Sequence, residues 1–300
     1  MESNPYQPSL GKDSKTPIFE GKKEPMKIIF YFFGLCLLLA CQQEDEVSTG
    51  LDIEITTPDP NPQPEVETPL ELVWSDEFDG TELNSDHWSF DLGDGCPNLC
   101  GWGNNEFQNY TETNHRLEDG FLIIKADNND GYTSTRILTK GKKEFQYGRI
   151  EARLKLPTGA GLWPAFWALG ADIDSVPWPD CGEIDIMEYV GKEPGQIFNA
   201  VHTRSSFGNT VNTKVTLAPN VEDDFHVYRV DWKKDVLEFY FDETLVYRYV
   251  PQSLSSQHWP FNKPFFLLIN LAIGGNFGGP VDPSLVFPRE YRIDYVRVYQ

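Results

Sequence analysis

The chain has 300 residues, of which 40% are hydrophobic, so it is long enough to bury a large core. It carries 46 acidic and 25 basic side chains, for a formal net charge of -21. This excess of negative charge argues against a protein that binds nucleic acid or anionic membrane surfaces.

The N-terminal part predicts an export signal. Met26 and Lys27 precede an apolar run that continues to Ala40, and a run of this length is too short to span a bilayer comfortably. Residues 26–40 therefore predict a signal peptide that starts at Met26. Residues 1–25 do not fit such a signal, and we interpret them as an extension of doubtful status.

The signal run ends in Leu38-Leu39-Ala40-Cys41, which resembles a bacterial lipobox. The resemblance implies that Cys41 is lipidated and becomes the first mature residue, so that the chain is anchored without a spanning helix. An ordinary cleaved signal followed by a chance cysteine is the alternative.

Residues 41–69 predict a disordered linker. A proline- and threonine-rich stretch from Thr56 to Pro69 has no apolar periodicity, and such a composition cannot bury enough surface to fold. The acidic residues that follow Cys41 resemble the surface-export signal of Bacteroidetes lipoproteins. That resemblance implies a lipid-anchored protein of the bacterial cell envelope, exposed on the outer-membrane surface.

From residue 70 to residue 300 the pattern predicts a single all-β domain. In residues 146–156, charged side chains such as Arg149 and Arg153 alternate with apolar ones, as in a half-buried strand. Further strands are predicted at Gly120–Ala126, Phe225–Trp232, Val236–Asp242, Pro264–Leu271 and Tyr291–Tyr299. No long amphipathic helix interrupts them, so the expected architecture is a β-sandwich.

The segment Glu183–Glu188 places three carboxylates in one predicted strand. Strict alternation puts Glu183 and Asp185 on one face but sends Glu188 into the core, where an unpaired carboxylate is strongly disfavoured. One extra residue near Ile186-Met187, a β-bulge, would return Glu188 to the face of the other two acids. We therefore predict a bulged strand with three acids on one open face.

Paired carboxylates are the groups that hydrolyse a glycosidic bond, one as acid and the other as nucleophile or base. A separation of about 5–5.5 Å favours retention of anomeric configuration and one of roughly 6.5–9.5 Å favours inversion; we favour retention. The charges of Glu183 and Asp185 would raise the pKa of Glu188 and keep it protonated. A solvated acidic strand face is the alternative.

Residues 178–191, Trp-Pro-Asp-Cys-Gly-Glu-Ile-Asp-Ile-Met-Glu-Tyr-Val-Gly, closely resemble the active-site strand of glycoside hydrolase family 16, particularly its laminarinase-like members. The resemblance implies that Glu183 is the nucleophile, Asp185 its supporting carboxylate and Glu188 the general acid/base. It also implies a jelly roll of two curved antiparallel sheets, with a substrate groove on the concave side.

Residues 161–170 and 101–110 together supply aromatic rings and amides, with the amides all in residues 101–110, and sugar recognition requires both kinds of group. A single tryptophan is more often a core residue, but the resemblance implies substrate contacts for Trp163, Trp167, Trp178, Asn104, Arg149 and His202. The alternative for His202 is a hydrogen-bonded structural imidazole.

Residues 101–105, 163–167 and 270–276 favour a laminarinase, an endo-acting enzyme on β-1,3-glucans. Mixed-linkage glucan, agar and carrageenan are alternative substrates, and the net charge favours a neutral glucan over a sulfated galactan. A noncatalytic glycan-binding lipoprotein is the alternative of another class. We expect a monomer that requires no cofactor for catalysis.

The cysteines and a structural metal complete the sequence-based predictions. The spacing of Cys96 and Cys100 in an exported chain is compatible with a local disulfide without establishing its geometry. Cys181 would then remain as a buried strand residue. The family resemblance implies a structural calcium bound by Glu77, the carbonyl of Gly120 and Asp294; pairing of the two acids with basic groups or turn amides is the alternative.

Overall fold

The computed structural model describes residues 69–300. The predictions for residues 1–68, including the signal peptide, Cys41 and nearly all of the linker, lie outside the described residues. Within residues 69–300, no helix has both the length and the apolar character needed to cross a membrane.

The described chain consists of short and long strands with two single helical turns. The strands are β1 (Leu72–Asp76), β2 (Ser89–Asp91), β3 (Asn109–Tyr110), β4 (His115–Glu118), β5 (Phe121–Ala126), β6 (Thr133–Ser134), β7 (Arg136–Leu138), β8 (Glu144–Phe145), β9 (Gly148–Lys155), β10 (Leu162–Gly170), β11 (Glu183–Glu188), β12 (Gln196–His202), β13 (Thr213–Leu217), β14 (His226–Trp232), β15 (Leu237–Phe241), β16 (Thr244–Tyr249), β17 (Phe265–Ile273) and β18 (Arg289–Tyr299). A 3₁₀ turn spans Cys100–Gly103, and the helical turn α1 spans Gly275–Gly278.

Two large antiparallel sheets face each other. The β14 sheet has the order β16-β15-β14-β9-β18-β5-β4, with β1 added beside β18. The β11 sheet has the order β13-β12-β11-β10-β17-β7-β2, with β8 paired to β17. A short parallel pair joins β3 and β6. This arrangement confirms the predicted all-β class.

The core lies between the two sheets and follows from side-chain alternation. In β9, Ile150 and Leu154 are fully buried, whereas Arg149 and Arg153 point to the outer face. Strand β17 differs, because all nine of its residues are buried. Its outer side is covered by the segment that precedes β3, where the Phe107 amide donates to the Ile273 carbonyl at 2.9 Å.

The predicted strands are confirmed, with ends that shift by one or two residues, while several short strands such as β2 and β13 were not predicted. Strand β13 is mostly exposed, so its sequence lacks a buried face that would reveal it. Glu151 also differs from expectation. It lies on the outer face of β9 but is buried, because its cross-strand neighbours Arg229 and Arg297 cover it.

Candidate active site

The predicted bulge in β11 is present and brings three acids to one face. Opposite β10, Phe166 pairs with Met187 and the next residue, Trp167, pairs with Asp185, which leaves Ile186 unpaired. The amide of Asn199 donates to the carbonyl of Ile186 at 2.7 Å and so satisfies a backbone group that the bulge exposes.

The bulge changes which side chains of β11 point into the core and which point to the outer face. Ile184, Ile186 and Met187 are fully buried in the core. Glu183 and Glu188 remain partly exposed, and Asp185 lies between them with little exposure. The three carboxylates therefore line the outer face of the β11 sheet, which we call the groove face.

His202 joins the acids because β12 pairs with β11 in a register that places it opposite Glu183. Its Nε2 atom lies 3.1 Å from Asp185 Oδ2 and 3.6 Å from Glu183 Oε1. Burial alone would lower the pKa of His202, but its hydrogen bond to Asp185 and the three surrounding carboxylates raise it to about 9. The imidazole is therefore a cation among the acids at neutral pH.

The two glutamates have raised pKa values for shared reasons but different surroundings. Burial and then the charge of Asp185 raise the pKa of Glu188 well above its usual range. The same two causes raise the pKa of Glu183. The His202 cation and an indole N–H oppose them at both glutamates, with Trp163 acting on Glu188 and Trp178 on Glu183. The difference lies in the ion pair, since His202 contacts Glu183 and so favours the ionised form of that carboxyl group.

The three predicted tryptophans lie on this face in different roles. The Trp163 indole N–H donates to Glu188 Oε1 at 3.0 Å, and that of Trp167 donates to Asn270 Oδ1 at 2.8 Å. Trp178 is 40% exposed and its ring centroid lies 5.9 Å from that of His202. The structure therefore brings together the predicted acids, His202 and all three indoles.

Asn104 also reaches the groove side, where it belongs to a network centred on Glu106. Glu106 accepts hydrogen bonds from Asn104 at 3.3 Å, Gln108 at 2.6 Å and Tyr110 at 3.2 Å. Burial raises the pKa of Glu106. The amide of Asn270 donates to Tyr110, which links this network to Trp167.

Arg136 is a further groove residue that the sequence analysis did not identify. Its guanidinium lies 4.7 Å from the ring of Trp102 and 4.9 Å from that of Trp167, and it forms an ion pair with Asp91. Arg136 and Asn199 act through neighbours that are distant along the chain, so no contiguous motif marks them. Glu106 bonds residues two to four positions away within the segment 101–110, but no pattern in that segment marked it as a site residue. Only the alternating polarity of β7 hinted at an outward-facing Arg136.

The prediction that Arg149 lines the groove is wrong. Arg149 lies on the outer face of β9 in the β14 sheet, and its guanidinium pairs with Asp231 through two hydrogen bonds of 2.9 and 3.0 Å. Side-chain alternation correctly placed it away from the core, but the groove face belongs to the other sheet.

The predicted calcium ligands lie on strand β18 or at the ends of the two strands, β1 and β5, that pair with it. Glu77 follows β1, whose Asp76 pairs with Val296, and Gly120 precedes β5, whose Leu122 pairs with Ile293. Both carboxylates nevertheless bind arginines. Glu77 pairs with Arg297 through bonds of 2.9 and 2.7 Å, and Asp294 pairs with Arg153. A calcium ion would have to compete with these guanidinium groups.

Cys96 and Cys100 form a disulfide, as their spacing allowed. Cys181 is free and buried, and burial raises the pKa of its thiol to about 12. It lies in the turn before β11 rather than within a strand, which corrects the prediction of its position.

Comparison with known proteins agrees with this geometry. The family model for glycosyl hydrolases family 16 matches residues 103–296. A β-glucanase of Rhodothermus marinus is 42% identical over 250 residues, which cover 77% of this chain and 85% of that protein. The crystal structure of a laminarinase from Flavobacterium sp. UMI-01 is 56% identical, with a TM-score of 0.75, and covers 77% of this chain and 100% of that one.

A second crystal structure, of the laminarinase catalytic domain from Thermotoga maritima, is 38% identical with a TM-score of 0.73 and covers 78% of this chain and 99% of that one. The family model spans well over half of the chain and includes the bulged strand with its three acids. This chain is therefore a member of glycosyl hydrolases family 16.

Proposed function

We propose that this protein is a retaining, endo-acting hydrolase of β-1,3-glucosidic bonds in laminarin-type glucans. The observation that carries the proposal is the bulged strand β11, which presents Glu183 and Glu188 on one face, with His202 paired to Glu183 and the Trp163 indole bonded to Glu188. The similarity to a β-glucanase and to laminarinases supports the choice of substrate.

In the first step, protonated Glu188 donates its proton to the glycosidic oxygen while the Glu183 carboxylate attacks the anomeric carbon. The bond to the leaving sugar breaks as a covalent glycosyl ester with Glu183 forms. In the second step, Glu188 takes a proton from water, the water oxygen attacks the anomeric carbon, and Glu183 is released. The Trp163 indole, bonded to Glu188, fixes the direction of this carboxyl group.

Asp185 and His202 separate the roles of the two glutamates. Burial and the charge of Asp185 raise the pKa of Glu188 and so favour its acid form. They also raise the pKa of Glu183, but there the contact with the His202 cation opposes them and favours the ionised nucleophile. No step of this mechanism needs a cofactor, because the proton and the nucleophile both come from side chains.

The groove suits a neutral sugar polymer. Trp163, Trp167 and Trp178 place three indole rings on the groove face, where Trp167 donates to the amide of Asn270 and the amide of Asn104 bonds Glu106. Flat apolar rings stack on the C–H faces of sugars, and uncharged amides pair with their hydroxyls. The same groove chemistry would accept mixed-linkage glucan or a galactan, so these are the alternative substrates.

We expect the purified protein to release short oligosaccharides from laminarin faster than from mixed-linkage glucan, agarose or carrageenan. Reducing-sugar assays on the four polymers in parallel measure this, and proton NMR of the first product tests for retained β-configuration. Activity on a galactan alone would keep the mechanism and overturn the substrate.

We expect Glu183→Gln to lose turnover by roughly four to six orders of magnitude while binding to laminarin persists, since the nucleophile is removed without a change of shape. Glu151→Gln, a buried glutamate of the other sheet, is the matched control. A wild-type protein that binds glucan but cleaves none of the four polymers would support a noncatalytic glycan-binding protein.

His202→Gln should move the acidic limb of the kcat/KM profile to higher pH by about one unit. The His202 cation lowers the pKa of Glu183, so its removal raises that pKa and reduces the ionised nucleophile at a given acidic pH. The profile on laminarin oligosaccharides measures the shift. His115→Gln, a histidine of the β14 sheet, is the control; an acidic limb that stays in place in His202→Gln would contradict the assignment.

A structural calcium at Glu77, Gly120 and Asp294 stays a prediction. We compare the protein in calcium at about 100 times the Kd of the site with the protein in excess chelator. If the ion binds in competition with Arg297 and Arg153, the chelated protein should have a Tm lower by roughly 5–10 °C. Calorimetry in chelator, followed by calcium or magnesium added back, measures the effect. An identical Tm in excess chelator would argue against the site.

We further propose that the protein acts as a monomer anchored at the outer surface of the bacterial envelope by lipid on Cys41. The lipobox-like Leu38-Leu39-Ala40-Cys41 and the acidic residues that follow support this location. Cys41→Ala should abolish metabolic labelling with palmitate, whereas Cys36→Ala, within the same apolar run, should retain it. Equal labelling of both variants would contradict the anchor.

A further inference from the structure

Two loops meet beside the nucleophile. Residues 171–182 lead from β10 into β11 and carry Trp178, and residues 203–212 lead from β12 towards β13 and carry Phe207. The two rings form an edge contact with centroids 5.4 Å apart and an interplanar angle of 84°. The other ring contact of Trp178 is with His202, and its indole N–H favours the ionised form of Glu183. Trp178 therefore lies between Phe207 and His202 of the catalytic cluster.

A second contact joins the same two loops. Arg204 Nη1 lies 2.6 Å from Asp180 Oδ2. Because the Arg204 side chain is 59% exposed and that of Asp180 is 35% exposed, this ion pair adds little stability. Its geometric effect is greater, since it fixes residues 203–212 against residues 171–182 at a point close to the aromatic contact.

Residues 203–212 form a preorganised loop. The hydroxyls of Ser206 and Thr210 bond at 2.9 Å, and Thr210 also donates to the buried carbonyl of Val201 at 3.1 Å. The Val211 amide donates to Ser206 Oγ at 3.0 Å. These bonds hold the loop that carries Phe207 in one conformation, so the position of its ring is set by the loop.

Burial does not explain this aromatic pair. Trp178 is 40% exposed and Phe207 is 48% exposed, so both rings leave a large part of their surface in water. An indole with so much exposed surface is not fixed by core packing. Among its ring contacts, the edge of Phe207 is the one that comes from outside the catalytic cluster.

We propose that Phe207 is a positioning residue, which holds the Trp178 indole beside His202 at the edge of the catalytic cluster. The Arg204–Asp180 ion pair keeps the two loops aligned for this purpose. The inference rests on the proposed function, because it gives the contact a role through the nucleophile.

The electrostatic effect of the indole can be separated from the other groups around Glu183. The charged or titratable groups that act on Glu183 are Asp185 and Glu188 of β11, His202 of β12, Arg136 of β7 and Cys181 of the preceding turn. The indole N–H favours the ionised form of Glu183. If the indole moves away, Glu183 will take up its proton at a higher pH.

Phe207→Ala should therefore lower kcat/KM on laminarin roughly ten- to a hundredfold, as a misplaced active-site group does, and move the acidic limb of the profile to higher pH. Phe207→Tyr keeps the ring edge and should restore both. Phe121→Ala removes one ring of an aromatic pair on the other sheet, with Phe225, and should change neither.

A readout that needs no activity is the indole N–H resonance of Trp178. The chain has eight tryptophans, and the resonance that disappears in Trp178→Phe identifies it. In Phe207→Ala we expect this resonance to shift and to exchange faster with water. If the wild-type protein cleaves no glucan, the proposed function fails, while the NMR comparison still decides whether Phe207 positions the indole.

The proposal would be overturned if Phe207→Ala had the same Trp178 indole resonance and the same pH profile of kcat/KM as the wild-type protein. An equal loss of activity and Tm in Phe207→Ala and Phe207→Tyr, with the acidic limb unmoved, would also overturn it, because it would show a purely structural role.

Discussion

One unpaired residue in β11, Ile186, is the feature on which the site depends. Without the bulge, the pleat would direct Glu188 into the core beside Ile184, where a carboxylate has no partner. The bulge is stabilised from the neighbouring strand, because Asn199 bonds the carbonyl that loses its ladder partner. A side-chain amide on β12 thus helps to place the acid/base on the same face as the nucleophile.

Three carboxylates on one strand repel one another, and the surrounding strands supply the groups that make the arrangement tolerable. His202 contributes a positive charge opposite Glu183, the Trp163 indole donates a hydrogen bond to Glu188, and the Trp178 indole favours the ionised form of Glu183. The compensation is uneven, since the cation lies near Glu183. This asymmetry makes chemically identical side chains suited to different steps of one reaction.

The outer face of the β14 sheet shows the opposite use of charge. There, arginines lie over tyrosine rings, as Arg229 does over Tyr240 at 3.8 Å and Arg297 over Tyr295 at 3.7 Å, and acids such as Asp231 pair with arginines. The charges on this face are mutually neutralised, whereas the groove face concentrates acids. The family resemblance implied a substrate contact for Arg149, and side-chain alternation could not correct it, because outward-facing polar residues occur on the strands of both sheets.

The sequence by itself determined the strand class, the core-facing residues of the long strands and the bulge, because two-residue periodicity and the cost of a buried carboxylate are local constraints. It also pointed to the three acids, because they lie in one contiguous motif. His202 and the three tryptophans were predicted from the resemblance to a known family. Only the tertiary structure decided that Arg136, Glu106, Asn199 and Phe207 belong around them and that Arg149 does not. Those positions depend on which strands are neighbours and on how loops distant in sequence meet, and no local pattern encodes that pairing.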